Sequence, residues 1–210
     1  MASQIGIFDQ LREEAHGREL SMRWYRQKVQ ELLPSPQVRR MIREGGRENK
    51  TTARPNFGMM NLFYYRPKGA EKLSYYDVFP LVIPMGKRLN NGFVGLNFHY
   101  LSVPQRWLLL ERLEMFQRSS LLDAFDAEEG AGTVMALFWG QIKAKRGVKP
   151  IVRRYLTKQI NSFFLKIELS EMLIAVSLPV ERFYTGKWSG KKRVRPEEVF
   201  RSTRREMTNA

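Results

Sequence analysis

The chain has 210 residues, 43% of them hydrophobic and 12% aromatic, and its formal charge at pH 7 is +15. This length and hydrophobic content suit one folded domain with arms and argue against wholesale disorder. Because cysteine is absent, disulfides and thiolate metal sites are excluded. The sequence does not open with a signal-peptide pattern and has no segment resembling a membrane span, so we expect a soluble protein made inside the cell.

The first fifty residues predict a helical arm. Apolar side chains recur among charged ones over residues 3–33, and Pro34 ends this pattern. The segment 43–56 is rich in Gly, Thr, Asn and Pro, which is typical of a loop or hinge. We therefore predict three parts, which are a helical N-terminal arm over 1–46, a main domain over 57–184 and a basic C-terminal extension over 185–210.

The middle of the chain is rich in residues that favour β-strands. Aromatic and β-branched runs occupy MNLFYYR, which ends at Arg66, and YDVFPLVIP over 76–84. A third run, GFVGLNFHYL over 92–101, alternates between two faces, with Leu96 and Phe93 on opposite sides. These three runs predict the strands of an antiparallel sheet.

The connection between the second and third predicted strands has a turn signal. Asn91 followed by Gly92 is typical of a tight hairpin, so we predict that these two strands pair antiparallel. Pro80 and Pro84 predict that the second strand lies at an edge of the sheet or is bulged, because proline cannot donate to a ladder of hydrogen bonds.

A helix is predicted over about 103–118. Ser102 with Gln105 three residues later forms a capping box, and apolar residues follow at helical spacing. The acidic, glycine-containing segment 123–132 predicts a loop, and residues 133–145 predict a second, more buried helix.

The most basic part of the chain is the segment 143–166, which has eight cations and no anion. From Ile151 its apolar residues keep helical spacing while its cations gather toward the other side. We therefore predict an amphipathic helix that packs on the domain through Val152, Tyr155, Leu156, Ile160 and Phe163. A strand is expected within FFLKIEL, before the chain leads to an exposed tail.

Together these elements predict an α+β fold. A small antiparallel β-sheet, which could be barrel-like, is packed by helices and carries a helical N-terminal arm and a basic C-terminal tail.

Residues suited to catalysis are scarce. His16 and His99 are the only histidines, so a histidine-rich metal site is excluded, and the sequence has no P-loop motif. We interpret His99 as a structural or surface histidine. Asp77 lies among aromatic residues, and we expect it to cap a turn or pair with a cation. We assign no catalytic residue, metal ligand or cofactor.

A metal-dependent nuclease is one alternative that stays open. Such enzymes hold their cation with clustered carboxylates. The acidic candidates lie in no predicted strand, so solvated loop charges are favoured for them. These candidates are Asp123, Asp126, Glu128, Glu129 and the nuclease-like pair Glu48 and Lys50.

The excess positive charge favours a polyanionic partner, most commonly nucleic acid. Lys and Arg neutralise phosphates, and Tyr155, Tyr184 and Trp188 could stack on bases. No sequence-reading motif is present, so we expect non-specific phosphate contacts; an acidic protein surface is the alternative partner. The candidate DNA-binding residues are Lys143, Lys145, Arg146, Lys149, Arg153, Arg154, Lys158, Lys191, Lys192 and Arg193.

Four segments, taken in order, carry a resemblance to a known family. They are YYRPKGAEKLSYYDVFPLVIPM, GFVGLNFHYLSVPQRWLLLERL, VKPIVRRYLTKQINSFFLKIE and AVSLPVERF. Over about 64–183 the chain resembles a family of small uncharacterised, virion-associated proteins of T4-like and marine tailed phages. The resemblance implies a phage-encoded protein that is made in the host cytoplasm and carried in the virion, and it carries over no catalytic residues.

Charge and resemblance together predict a non-enzymatic structural component of a tailed-phage virion. We expect it to contact DNA non-specifically at the head or neck, as a DNA-terminus-binding protein would. The alternative is a tail or baseplate subunit that binds other virion proteins rather than DNA, and the second alternative is the metal-dependent nuclease. The expected partners are DNA and other virion proteins in a multi-subunit assembly, without a membrane.

Overall fold

The computed structural model describes residues 51–121, 140, 146–167, 172–177, 180–186 and 192–209. The predicted arm over 1–46 and the acidic segment 123–132 lie outside these residues, as does the helix predicted over 133–145 apart from Gly140. The three predicted domain boundaries stay predictions.

Antiparallel strands form the frame of the fold. They are β1 (Thr51–Thr52), β2 (Met60–Leu62), β3 (Tyr76–Asp77), β4 (Leu81–Leu89), β5 (Gly92–Asn97), β6 (Val152–Leu156), β7 (Phe164–Ile167), β8 (Phe183–Tyr184) and β9 (Arg193–Val194). A larger sheet has the order β1-β7-β2-β4-β5-β6, and a smaller one has the order β3-β8-β9. The α+β prediction is confirmed. The larger sheet is open rather than closed into a barrel, because β1 and β6 form its two ends.

The predicted hairpin is present as β4 and β5, which pair antiparallel with Leu89 opposite Gly92. The edge position predicted for the second strand is wrong, because β4 lies between β2 and β5. The alternative form of that prediction, a bulge, is supported by a shift of register between Met85 and Leu89. A bulge bends a strand locally without removing it from the sheet interior.

The run predicted as one strand over 76–84 is divided between the two sheets. Tyr76 and Asp77 belong to β3, and the larger sheet is joined only from Leu81 onward. Between them the Phe79 N–H donates to Asp77 Oδ1 at 3.0 Å, which turns the chain. Asp77 therefore caps a turn, as the sequence predicted.

Two apolar clusters pack against the larger sheet. The larger cluster contains Leu96 of β5 together with residues of all three described helices, and the smaller cluster is mainly aromatic and contains Phe93. The alternation of β5 therefore places its side chains on two faces, as predicted. The smaller cluster consists of Phe63, Tyr65, Val82, Phe93, Tyr155 and Phe164.

The described α-helices are α1 (Val103–Leu121), α2 (Met172–Ser177) and α3 (Pro196–Thr208). Helix α1 confirms the prediction over 103–118. At its start Gln105 Oε1 accepts hydrogen bonds from the Ser102 N–H at 3.1 Å and from the Ser102 hydroxyl at 2.9 Å. The side chain of Gln105 thus returns to the first residue of the box, as the capping pattern requires.

Helix α3 corrects the expectation of an exposed tail. Its residues Val199, Phe200 and Thr203 are buried, and Val199 belongs to the larger apolar cluster. The spacing of these three residues gives the helix one buried stripe, through which it packs on the domain.

The amphipathic helix predicted from Ile151 is wrong. Residues 146–151 form a 3₁₀ turn, Val152–Leu156 form β6, and Thr157–Gln159 form another 3₁₀ turn. β6 pairs with β5 from Leu96 opposite Val152 to Gly92 opposite Leu156. A short apolar run does not distinguish a helix from a strand, and here the backbone groups along β5 supply the pairing partner that decides the outcome. The expected strand within FFLKIEL is confirmed as β7.

Candidate nucleic-acid interface

A cleft of about 620 Å³ opens between β6 and the loop formed by residues 67–75, which we call the wall loop. Among its described lining residues every aromatic side chain is a tyrosine, and three cations accompany a single carboxylate. We call it the tyrosine cleft. Its tyrosines are Tyr65, Tyr75, Tyr76, Tyr100 and Tyr155, and its charged residues are Lys68, Asp77, Arg153 and Arg154.

Backbone contacts hold the wall loop in place. Gly69 has a φ of 72° at the start of a 3₁₀ turn over Ala70–Lys72, a conformation that glycine adopts without strain. The Gly186 N–H donates to the Leu73 carbonyl at 3.1 Å. A Cβ atom at Gly186 would lie 1.7 Å from the Ala70 oxygen and 2.2 Å from the Leu73 oxygen, so only glycine fits this contact.

The cations of the cleft belong to its two opposite sides. Lys68 is exposed on the wall loop, and Arg154 is exposed on β6. Arg154 Nη2 donates to Asn91 Oδ1 at 2.9 Å, which fixes the guanidinium beside the β4–β5 turn. The Arg153 guanidinium carbon lies 4.3 Å from the ring centre of Tyr100, a cation–π distance. The rim of the cleft therefore carries positive charge on both sides.

Asp77, the acidic group among the described lining residues, accepts hydrogen bonds from groups beneath the cleft. Asp77 Oδ2 lies 2.9 Å from Nδ1 of His99, which is completely buried. Asn97 Nδ2 donates to the same oxygen at 3.2 Å and to the Tyr155 hydroxyl at 3.0 Å. This buried network supports the structural interpretation of His99 and holds the Asp77 carboxylate in place by hydrogen bonds.

The hydroxyls of Tyr65, Tyr100 and Tyr155 stay protonated near neutral pH. Burial raises the pKa of Tyr100 to about 12, although the Arg153 guanidinium acts in the opposite direction. Burial also raises the pKa of Tyr155 well above its ordinary value and raises that of Tyr65. A tyrosine used as a nucleophile needs activation by an adjacent base or a lowered pKa, so these groups are suited to contact rather than to covalent chemistry.

A second cleft of about 510 Å³ adjoins the first, and Tyr65 and Tyr76 line both. Its only cation among the described lining residues is Arg66, and Tyr184 completes its aromatic side. The positive charge is therefore greater in the tyrosine cleft.

The structure brings two of the ten predicted DNA-binding residues into the tyrosine cleft, Arg153 and Arg154. Four others do not line it. Lys149 and Lys158 are exposed on the turns before and after β6, while Lys192 and Arg193 are exposed at β9. Arg146 begins the 3₁₀ turn before β6. Lys143, Lys145 and Lys191 lie outside the described residues, so their contribution stays a prediction.

The aromatic residues predicted to stack on bases need correction. Tyr155 is only 3% exposed and stacks on Phe93 inside the smaller cluster, with ring centres 5.3 Å apart, so it has no free face for a base. Tyr184 is half-buried in the second cleft, and Trp188 lies outside the described residues.

Sequence reasoning missed Lys68, Tyr75 and Tyr100. The segment containing Lys68 predicted only a strand boundary, Tyr75 falls just before the strand predicted over 76–84, and Tyr100 falls within the strand predicted over 92–101. The repeated tyrosines on both sides of PKGAEKLS were the available signal. They did not identify a site, because the opposite wall lies about eighty residues further along the chain.

Arg106 of α1 is an unforeseen buried cation. It is completely inaccessible to solvent and pairs with the buried carboxylate of Glu181. Its other donors reach the Leu101 carbonyl at 2.8 Å and the Val176 carbonyl at 2.9 Å. Arg106 therefore has structural partners on every side and contributes nothing to the basic surface.

Neither a metal-binding cluster nor a membrane-spanning helix is found in the part of the chain that the structure describes. No three His, Asp or Glu side chains lie together there in a way that could hold a metal ion. The nuclease candidates Glu48, Lys50, Asp123, Asp126, Glu128 and Glu129 lie outside it. The described helices include none that is long and apolar enough to cross a bilayer.

Comparison with curated proteins and with solved structures gives no match. A family model described as "Phage T4 terminal DNA protecting protein" matches residues 11–201. The match confirms that this is a phage protein family, and it extends beyond the segment 64–183 on which the resemblance rested, into most of the predicted N-terminal arm. The chain belongs to the phage T4 terminal DNA protecting protein family.

Proposed function

We propose that this protein binds the ends of linear DNA and shields them, and that it acts by binding rather than by catalysis. One observation carries the proposal, which is that Lys68, Arg153 and Arg154 surround a single aromatic cleft in a member of a terminal DNA protecting family. Binding to phosphates by such cations releases counterions and does not depend on base sequence.

The chemistry of the cleft supports a role without cleavage. Burial keeps the pKa of Tyr100 and Tyr155 high, which opposes a phenolate nucleophile. The carboxylate of Asp77 is already used by His99, Asn97 and the turn at Phe79. Incubation of the protein and linear DNA with Mg²⁺ or Mn²⁺ tests the nuclease alternative, and cleavage that disappears in Asp123→Asn/Asp126→Asn would overturn the proposal.

End binding can be measured with two DNA forms of the same sequence. One is an open duplex, and the other is a dumbbell whose ends are closed by hairpins. We expect tighter binding to the open duplex and slower digestion of it by an added exonuclease. Equal affinity for the two forms, or an unchanged digestion rate, would contradict end protection.

The role of the cleft cations can be tested by salt dependence. Replacement of both Lys68 and Arg154 by Gln should reduce the slope of log K against log salt by about 1.8 if each side chain contacts one phosphate. Roughly tenfold weaker binding per lost contact is expected at 0.1 M salt. The matched control is Arg54→Gln/Arg112→Gln, which removes the same charge from exposed positions outside both clefts. Equal effects of the two double variants would show that only net charge matters.

The virion is the proposed location, at the head or neck where a DNA end is held. The support is the description of the family, which refers to terminal DNA. Quantitative mass spectrometry of purified particles should detect the protein at a fixed stoichiometry. Its absence from particles, with the protein found free in the lysate, would contradict this location.

A tail or baseplate subunit is the second candidate, and one surface favours it. Helix α3 presents Arg201, Arg204 and Arg205 to solvent on the side opposite its buried stripe, which suits an acidic protein partner. Charge reversal of these three arginines separates the candidates. Loss of particle assembly with normal binding to DNA ends would favour the assembly role.

A further inference from the structure

We propose that the tyrosine cleft receives an unpaired nucleotide at the DNA end, with its base inside the cleft and its phosphate at the rim. This inference rests on the proposed function, and it adds the form of DNA end that the protein prefers. The ligand class is a short single-stranded terminus.

The size of the cleft favours a single strand. Its volume of about 620 Å³ falls within the range of roughly 300–1,000 Å³ that encloses drug-sized ligands. A nucleotide or two has that size, whereas a base-paired duplex end does not fit. Paired DNA can therefore contact only the rim.

The distribution of charge determines the orientation of the nucleotide. The cations Lys68 and Arg154 are exposed at the rim, on opposite sides of the opening. The carboxylate of Asp77 is 4% exposed and lies deeper, where a phosphate would be repelled. A nucleotide that enters with its base first keeps its phosphate beside the cations and away from Asp77.

The apolar side of the cleft supplies a surface for the base. Tyr75 is half-buried, and its ring is supported by Tyr100 and Phe183 at centre-to-centre distances of 6.0 and 6.1 Å. Leu73 is 40% exposed although its carbonyl is held by the Gly186 N–H, so an apolar side chain is fixed at the opening. Every base has a π-face and can stack on such a surface, whatever the sequence.

One polar group of the lining that could read a base, the Asn97 amide, is already occupied. Both N–H bonds of the Asn97 amide are donated, to Asp77 and to Tyr155, and its oxygen accepts from the His99 N–H. The cleft should therefore accept any of the four bases, as a terminus-binding protein that does not depend on sequence requires.

The test measures the affinity of the 210-residue chain for three forms of DNA. They are a blunt duplex, the same duplex with a two-nucleotide single-stranded tail and a closed dumbbell, and the tail carries 2-aminopurine as a fluorescent reporter of stacking. We expect tighter binding to tailed than to blunt DNA, together with a change of 2-aminopurine fluorescence on binding. Both tail polarities, 5′ and 3′, are measured.

Matched variants connect this preference to the cleft. Tyr75→Ala should weaken binding of tailed DNA roughly 5- to 150-fold, the range for loss of one stacked base, and Tyr75→Phe should restore it. Tyr184→Ala is the control, because Tyr184 is a half-buried aromatic residue of the other cleft. Leu73→Asp provides a second test at an exposed position, where misfolding is not expected, and should also weaken binding of the tail. Thermal unfolding confirms that each variant is folded.

The outcomes separate the two proposals. If the wild type binds tailed and blunt DNA with equal affinity, the cleft assignment is overturned while end binding stands. The same follows if Tyr75→Ala and Leu73→Asp both weaken binding of tailed DNA no more than Tyr184→Ala does. A free deoxynucleoside monophosphate that competes as strongly as the tail also overturns it, because the ligand is then a small molecule. A dumbbell bound as tightly as open DNA overturns the proposed function itself.

Discussion

Two arginines of this protein show how differently one residue type is used. Arg106 is inaccessible to solvent, and its guanidinium contacts Glu181 and two backbone carbonyls. Arg154 is exposed at the rim of the tyrosine cleft, with Asn91 as its described hydrogen-bond partner. The first is closed off from solvent and cannot reach a ligand, and the second keeps most of its donors. A net charge of +15 is therefore a poor measure of a binding surface until each cation has been located.

The largest effect on stability is expected at Arg106. Replacement by Met leaves Glu181 buried without its partner, which costs about 3–5 kcal/mol of unfolding free energy. Urea denaturation measures this cost. The double variant Arg106→Met/Glu181→Leu should recover most of it, because no buried charge is left unpaired. A single variant as stable as the wild type would show that the pair is not the structural element that the geometry indicates.

An intermediate effect on the free energy of unfolding is expected when the pH is lowered, because Glu181 becomes protonated. Burial alone would raise the pKa of Glu181, but Arg106, with a smaller contribution from His99, holds it below the ordinary value of 4.5. Because the folded pKa is the lower one, this contribution to stability is fully present above about pH 4.5 and is lost as pH falls through the folded pKa. The stability difference between wild type and Glu181→Gln should therefore shrink below that pH in denaturation series from pH 7 to pH 3. A difference that stays constant throughout would contradict the assignment.

The smallest effect on stability is expected at Arg154. Replacement by Met removes one exposed hydrogen bond to Asn91 and should change the unfolding free energy by less than about 0.5 kcal/mol. The same urea denaturation measures it. Affinity for DNA ends should nevertheless fall, which is the reverse of the behaviour expected from Arg106→Met/Glu181→Leu. Large destabilisation by Arg154→Met would mean that the two arginines are not as different as their surroundings indicate.

Short sequence motifs predicted the elements that are stabilised by contacts between residues close together in the chain. Helix α1 followed from the Ser102–Gln105 cap and from apolar spacing, and the β4–β5 hairpin followed from Asn91–Gly92. The segment around Arg153 was predicted as a helix because its apolar spacing fits both structures over so few residues. Pairing with β5, some sixty residues away in sequence, made it a strand.

The candidate site depended even more on distant pairing. Its two walls come from residues 67–75 and from β6, and only the folded sheet brings Lys68 near Arg154. Sequence patterns identified the two arginines as basic and placed Tyr155 among the residues that pack on the domain, but they gave no sign that residues 67–75 would form the opposite wall. Which aromatic residue keeps a free face is decided by packing, and packing partners far apart in sequence leave no periodic signal.

The interior position of β7 in the larger sheet has a consequence for the kinetics of folding. β7 lies between β1 and β2, and Met60 pairs with Ile167 across more than one hundred residues of chain. At a synthesis rate of about 5–20 residues per second, β2 waits on the order of ten seconds on the ribosome before its partner has been made. The β4–β5 hairpin can form during that interval, whereas the larger sheet cannot be completed, so nascent chains that stop before residue 167 should be the ones most exposed to misfolding and to chaperones.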